Sequence, residues 1–324
     1  MSASLTSQSP PAPFHSGTSG IYCLNGGKRM KYKLRGHETF AIRKGWLSKG
    51  MKRVQENGDV FLSKTENPMD VLGIGANMVK SLRYWLQAVG LTKESETGRR
   101  TQTLTPFGKL VLQYDRYIEE AGTLQLLHYK LASNKELAPS WYYFFNEYRG
   151  EISESEFEKG LESWLAMKGQ EPPSRRLVQD DFACIISTYL PRHKSNPEKD
   201  SPESNLECPL AELGLIDFLK KSDRTYKKLP PPPKSLHPWI VLAAIVDAAE
   251  GKTEIQLHEL SQAPRSISRI FNLDTIALLE VLYQVEGLAQ IKLVRTAGLD
   301  VIQIMHPDHD FLYCVDQYYK AIKE

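Results

Sequence analysis

The sequence predicts a mainly α protein with small β-hairpin wings, arranged as tandem winged-helix-like units joined by a helical middle region. Three observations predict this class. Between Leu72 and Lys109 a Gly-rich turn opens an amphipathic helix, which stops at Gly90 and gives way to a polar hairpin with a basic tip. Between His237 and Met305 the order helix, helix, hairpin recurs. Between the two, residues 119–191 are aromatic and carry apolar side chains at helical spacing.

Residues 1–29 are rich in Ser, Pro and Gly and lack the basic and apolar regions of a secretory signal. They are expected to form a disordered tail, or an extension ahead of a start at Met30. Residues 30–118 are expected to form a winged-helix DNA-binding domain. Its first helix is predicted over 39–56, with Phe40, Trp46, Leu47, Met51 and Val54 as the apolar stripe. Asn67-Pro68 breaks that pattern, and the next long helix is predicted over Met78–Val89, burying Met78, Leu82, Trp85 or Leu86, and Val89. Asn77 can cap its start, and Gly90, which tolerates positive φ, can end it.

Residues 119–221 are expected to form a helical middle domain. The run Trp141 to Phe145 reads as core because aromatic side chains bury large areas. Glu154 to Met167 carries the stripe Phe157, Leu161, Trp164, Leu165. Within this domain 192–207 is polar and nearly free of apolar residues, which marks a linker. Residues 222–236 form a Pro-rich linker, four consecutive prolines favouring an extended spacer. Residues 237–324 are expected to form the second winged-helix-like domain, with an apolar helix at His237–Ala249 and an amphipathic one at Asp274–Glu286 carrying Ile276, Leu279, Leu282 and Val285. A hairpin follows, turning at Thr296-Ala297-Gly298. Asp274, Glu280 and Glu286 would repel phosphates, so a structural or protein-contacting role is expected there.

The chain has 324 residues, of which 41% are hydrophobic and 25% charged, ordinary values for a soluble globular protein. The net charge of +2 conceals an asymmetry. Met30 to Asp115 holds fifteen Lys and Arg against eight Asp and Glu, a surplus of seven that leaves the remainder at −5. A basic module on an acidic body points to a polyanionic partner. The four cysteines, Cys23, Cys184, Cys208 and Cys314, form no CxxC pair, so reduced thiols in a cytoplasmic protein are expected. No apolar run approaches the roughly 18 residues that span a bilayer. Phosphate-binding loop, nucleophile-elbow, HExxH and dinucleotide fingerprints are absent from the sequence, as is a contiguous nuclease motif.

Three constellations could carry chemistry. With Met78, Leu82 and Leu86 turned inward, Asn77, Lys80, Ser81, Arg83, Tyr84 and Gln87 are expected to face outward from a recognition helix. Their side chains can reach base edges and phosphates, as can Arg99 and Arg100 at the hairpin tip. The alternative is an ordinary solvated helix. His37 and Glu38, in Gly36-His37-Glu38-Thr39-Phe40, could transfer a proton or bind metal; for the bare motif a turn in which Glu38 or Thr39 caps the following helix is the simpler reading. His306-Pro307-Asp308-His309-Asp310 has metal-ligand residue types, but Asp308 as the cap of the terminal helix is the simpler reading, and no residue is assigned to a metal.

Several of these segments together resemble a known group. Gly36-His37-Glu38-Thr39-Phe40 with Gly45-Trp46-Leu47, the run Leu72 to Leu86, Thr103 to Gly108 and Pro209 to Ile216 are similar to a bacterial domain-of-unknown-function family, SspB-like, associated with DNA phosphorothioation systems. The resemblance runs from about Lys31 to the C-terminus. It implies work on DNA in a modification or phage-defence system, with strand nicking ahead of sulfur insertion as the activity. Nicking would call for Mg²⁺ or Mn²⁺ and for a water-activating group, and His37 and Glu38 are the motif residues suited to that role. The implied partners are double-stranded DNA and sulfur-transfer proteins, with a homodimer also open. A non-catalytic adaptor that recruits those enzymes to DNA and a transcription regulator remain as alternatives.

Overall fold

Local chemistry sets most helix starts. Proline, whose missing N–H is harmless at the first helical position, opens α2 (Pro68–Leu72), α4 (Pro106–Tyr114), α6 (Pro139–Tyr142) and α9 (Pro238–Ala249). Asn67 and Thr105 cap the first two of these by accepting from Met69 N and Gly108 N. α1 (Trp46–Glu56) begins later than the predicted 39–56, because Glu38 and Thr39 have φ of 49° and 68°, outside any right-handed helix. α3 (Ala76–Ala88) starts after Gly75, which supplies no side-chain cap, so Asn77 lies inside the helix and is not its cap. It ends as Gly90 predicts: at φ 75° that residue donates to Gln87 O while Leu91 N reaches Leu86 O. The hairpin β1 (Thr92–Glu94) and β2 (Gln102–Leu104) follows, paired antiparallel.

This computed structural model describes residues 32–96, 98, 100–191, 207–296 and 299–323. The tail, Arg99, most of the predicted linker at 192–207 and the hairpin turn at 297–298 therefore lie outside the described residues. Tyr32–Glu324 packs as one compact unit, mainly α with small antiparallel sheets of two or three strands.

The middle region is helical as predicted. It comprises α5 (Ala121–Ser133), α6 continued by a π-helical turn at Tyr143–Glu147, α7 (Glu154–Met167) and α8 (Arg175–Tyr189). Trp141 to Phe145 are all buried, and so are Phe157, Leu161, Trp164 and Leu165. A hairpin escapes the sequence reading. β3 (Ile216–Lys220) pairs with β4 (Thr225–Lys228), which occupies the start of the predicted 222–236 spacer. The C-terminal part holds α9, β5 (Glu254–Gln256), α10 (Leu257–Gln262), α11 (Ile267–Ile270), α12 (Thr275–Glu286), β6 (Ile291–Thr296), β7 (Leu299–Ile304) and α13 (Phe311–Ala321), with sheet order β5-β7-β6. The α12 stripe is rotated from the predicted one: Ala277, Leu278, Val281, Leu282 and Val285 are buried, while Ile276 is exposed. Asp310, not Asp308, caps α13 by accepting from Tyr313 N.

α5 is the helix around which these parts close. Gly122 through Tyr129 are buried without interruption, polar side chains included. Each of those polar groups meets a distant partner. Thr123 Oγ1 bonds the Tyr319 hydroxyl at 2.7 Å, and Tyr129 OH donates to Asp247 at 2.9 Å. Lys130 Nζ donates to the same carboxylate at 3.0 Å. His128 lies between the Tyr189 hydroxyl at Nδ1, 2.8 Å, and the Ile270 carbonyl at Nε2, 2.9 Å. Since a carbonyl only accepts, Nε2 carries the proton, and the imidazole is neutral. Burial pushes its pKa down to about 4, the Ile270 carbonyl opposing.

Two outcomes follow from this packing. Below about pH 6.5 the unfolded chain protonates His128 while the folded one resists until about pH 4, so the stability that neutral His128 confers is lost as pH falls through that window. Urea unfolding between pH 7 and 4 should show a steeper loss for the wild type than for His128→Gln. A Cβ at Gly108 would overlap the Leu91 carbonyl, where α4 meets the hairpin. Gly108→Ala should destabilise by about 2 kcal/mol or more in the same assay, since backbone cannot step aside as a side chain can.

Candidate nucleic-acid interface

The motif Gly36-His37-Glu38-Thr39-Phe40 forms a tight turn, not a helix start. Arg35, Glu38 and Thr39 all take positive φ, a costly conformation for residues with a Cβ. The turn holds because α8 grips it. Asp181 Oδ1 accepts from Arg35 N and from His37 Nε2, both at 2.8 Å, and Asp181 Oδ2 accepts from the Ser140 hydroxyl. Asp180 pairs with the Arg35 guanidinium at 2.7 Å. The other His37 nitrogen, Nδ1, accepts from Thr39 N at 3.0 Å. His37 is fully buried among Trp85, Trp141 and Tyr84. With both ring nitrogens committed and no path to water, His37 cannot serve as the proposed water-activating group. It is a staple between the turn, α3, α6 and α8.

Glu38 goes the other way. Its side chain is half-buried at the surface, and its charge offsets a small part of the lowering of the Lys33 pKa. Lys33 is itself the marker of a charge cluster. Burial holds its pKa below the ordinary value, Arg83 and Arg100 push the same way, and Glu94 and Glu38 oppose them. The direct contacts in this region join Arg83 and Arg100 to Glu94. Arg83 is fixed by a two-nitrogen contact to Glu94 Oε2, Nη2 at 2.6 Å and Nε at 3.1 Å. Arg100 approaches the other Glu94 oxygen at 3.8 Å, with its side chain largely exposed.

The outward face of α3 is narrower than periodicity predicts. Asn77 and Lys80 are exposed, Nζ of Lys80 resting 3.4 Å from Asn77 Oδ1. Arg83 and Gln87 are half-buried, and Gln87 Nε2 donates to Arg83 O. Ser81 and Tyr84 are buried, so the expectation that they face a nucleic acid is corrected. Tyr84 packs over Gly36, where any Cβ would overlap its ring, and its hydroxyl pKa is raised well above the ordinary value by burial and then by Asp181. Arg99 lies outside the described residues. The sequence reading missed Lys33, which the preceding turn brings beside α3, and Glu94, which neutralises Arg83. A complementary opportunity lies at the helix start: Gly75 gives no side-chain cap, and Gly73, Gly75, Ala76 and Asn77 are exposed, leaving first-turn N–H groups free to meet an anion.

The nicking that the family resemblance implies would need Mg²⁺ or Mn²⁺. Among the described residues one group of three candidate ligands converges: His306, Asp308 and His309, their ligand atoms within 4.8 Å of one another. Two imidazoles and one carboxylate suit a transition metal, whereas Mg²⁺ favours an all-oxygen shell. This donor set does not fit Mg²⁺. No helix among the described residues is long and apolar enough to cross a membrane.

Comparison with known proteins agrees with the resemblance read from the motifs. Two solved structures superpose closely. A crystal structure of magnesium-ion-bound SspB matches with a TM-score of 0.79 at 27% identity, covering 90% of this chain and 89% of that one. A second SspB crystal structure matches with a TM-score of 0.78 at 28% identity, with the same coverage of both chains. No curated protein matches. A family model described as a protein of unknown function, DUF4007, matches residues 34–319, nearly all of the folded chain, and the protein belongs to that family.

Proposed function

We propose that this protein is a DNA-binding subunit of a phosphorothioate modification system and that strand nicking is its activity. The DNA-binding half is carried by the exposed Asn77 and Lys80 on the first turns of α3, whose start has no side-chain cap, and is supported by Lys33, Arg83 and Arg100, whose charges act on one another. In this reading α1, α2, α3 and the β1–β2 hairpin work as a winged helix. The first turn of α3 receives a phosphate on its backbone N–H groups, Lys80 and Asn77 reach the groove edge, and Arg100 reaches the backbone from the hairpin. Arg83 contributes by holding Glu94, so its guanidinium is released to DNA only if that pair opens.

The nicking half rests on the similarity to SspB over nine-tenths of both chains and on the family resemblance. The SspB structure that carries magnesium supports a divalent requirement without placing it on any residue here. Glu38 and Glu94, both of which act electrostatically on Lys33, are the carboxylates we assign to such a centre, and His37 is outside it. A second reading, a DNA-binding adaptor that leaves strands intact, draws its support from the burial of His37.

Two experiments test this. In a gel-shift titration across salt concentrations, Lys80→Ala with Arg100→Ala should weaken duplex binding and lower the log–log salt slope by up to about two, one per lost phosphate contact. An unchanged slope removes α3 and the hairpin from the interface. In a plasmid assay with and without Mg²⁺ or Mn²⁺, wild type should convert supercoiled DNA to open circles and Glu38→Ala should not. His37→Gln should lose nicking only in proportion to its loss of folded protein by circular dichroism. Intact plasmid under every metal, together with a clear gel shift, would replace the nickase by the adaptor.

A further inference from the structure

A second basic feature lies away from α3, in a groove between the end of the π-helical turn, the β3–β4 hairpin and the stretch from α10 to the start of α12. Its cavity measures about 650 Å³, the size of a small-molecule site. Four cations line it: Arg149, Lys227, Lys228 and Arg269. Two acids, Glu151 and Asp274, line it as well, and Asp274 is occupied in capping α12 through Ala277 N. Lys227 lies 4.0 Å from Asp217. Among the described residues, Arg149, Lys228 and Arg269 have no carboxylate partner. Arg269 is held by the backbone and side chain of Gln262, and Arg149 touches the same side-chain oxygen at 3.4 Å.

Lys228 is the unusual member. Its ammonium is drawn in among Phe144, Phe145 and Tyr148 and donates to the carbonyls of Phe144 and Tyr148. Those carbonyls close the π-helical turn, so capping accounts for two of its three N–H bonds. Among the described residues no carboxylate pairs with Lys228, and Glu151 and Asp274 offset only part of the charge of the four cations that line the groove. Burial, and then the neighbouring Arg149, lower its pKa to about 7. A partly buried ammonium beside a second cation is costly unless an anion joins them. A further polar group awaits a partner: Ser268 is 4% exposed, lines the groove, and its hydroxyl has no hydrogen-bond partner.

We propose that this groove binds the phosphate of a nucleotide unit, with Lys228 and Arg149 as the charge partners and the Ser268 hydroxyl as a donor to a phosphate oxygen. An inorganic anion alone would leave most of the volume empty, whereas a nucleoside attached to it fills a cavity of this size. The same chemistry is offered by a free mononucleotide and by one unit of a single strand. The groove is built from elements other than α3 and its hairpin, so it stands or falls separately from the duplex interface.

The test uses the full chain and three probes: a fluorescein-labelled single-stranded oligodeoxynucleotide followed by anisotropy, and dAMP and inorganic phosphate as competitors and as ligands in thermal-shift assays. Saturable binding of oligonucleotide or dAMP is expected, weakened at least tenfold by Arg149→Gln, by Lys228→Met and, to a lesser degree, by Ser268→Val. Arg149 is exposed, so its variant reports even where Lys228→Met fails to fold. Oligonucleotide binding that dAMP does not displace identifies a strand as the ligand; displacement by dAMP identifies the free nucleotide; both support the groove. Lys80→Ala with Arg100→Ala should leave this binding intact while losing duplex. No saturable binding of oligonucleotide or dAMP, or binding equal in wild type, Arg149→Gln and Lys228→Met, overturns the proposal.

Discussion

One buried carboxylate, Asp181, holds together the region on which the functional face depends. A carboxylate in a protein interior is unfavourable unless its lone pairs are met. Asp181 is 1% exposed and accepts from a backbone N–H, an imidazole and a hydroxyl, drawn from two other parts of the chain. Those bonds sustain a turn in which three residues with side chains occupy the left-handed region, each at about 1 kcal/mol or more. The turn then places Gly36 under Tyr84 and His37 against Trp85, which fixes the rotation of α3 about its axis. The basic cluster at the surface is the outer end of that chain of contacts.

The same geometry explains why a motif that invites a catalytic reading is structural in its most conspicuous residue. Adjacent positions in a tight turn point in different directions. His37 turns inward and is consumed by Asp181 and Thr39, while Glu38 turns outward toward Lys33. The charge asymmetry read from the sequence is resolved likewise. Two of the N-terminal cations are committed to carboxylates, Arg83 to Glu94 and Arg35 to Asp180, whereas Lys80, Arg100 and Lys33 are among those that stay exposed and able to engage a polyanion.

Features governed by neighbours in sequence were legible. The stop at Gly90, the buried stripe of α7 and the helical aromatic run at 141–145 each depend on a few adjacent residues. Features governed by distant layers were not. Helical periodicity assigns Ser81 and Tyr84 to solvent, but the 35–40 turn covers that side of α3. Asp181 lies 146 residues from Arg35, a pairing no spacing rule reveals. The β3–β4 hairpin was overlooked because its strands are short and lysine-rich, with only Ile216 and Tyr226 fully buried to betray alternation. Lys228 is not visible to spacing rules for a related reason: the π-helical turn that draws it in lies on a different segment.

Hydrogen–deuterium exchange of the full chain with and without a saturating DNA duplex tests the central claim most directly, because it locates the contact without altering any residue. If the head of α3 and its hairpin form the interface, amides of 76–80 and 92–104 become protected on DNA addition, and the deeply buried amides of α5 do not change. Protection confined to other segments, with 76–104 exchanging as in the free protein, would contradict the account.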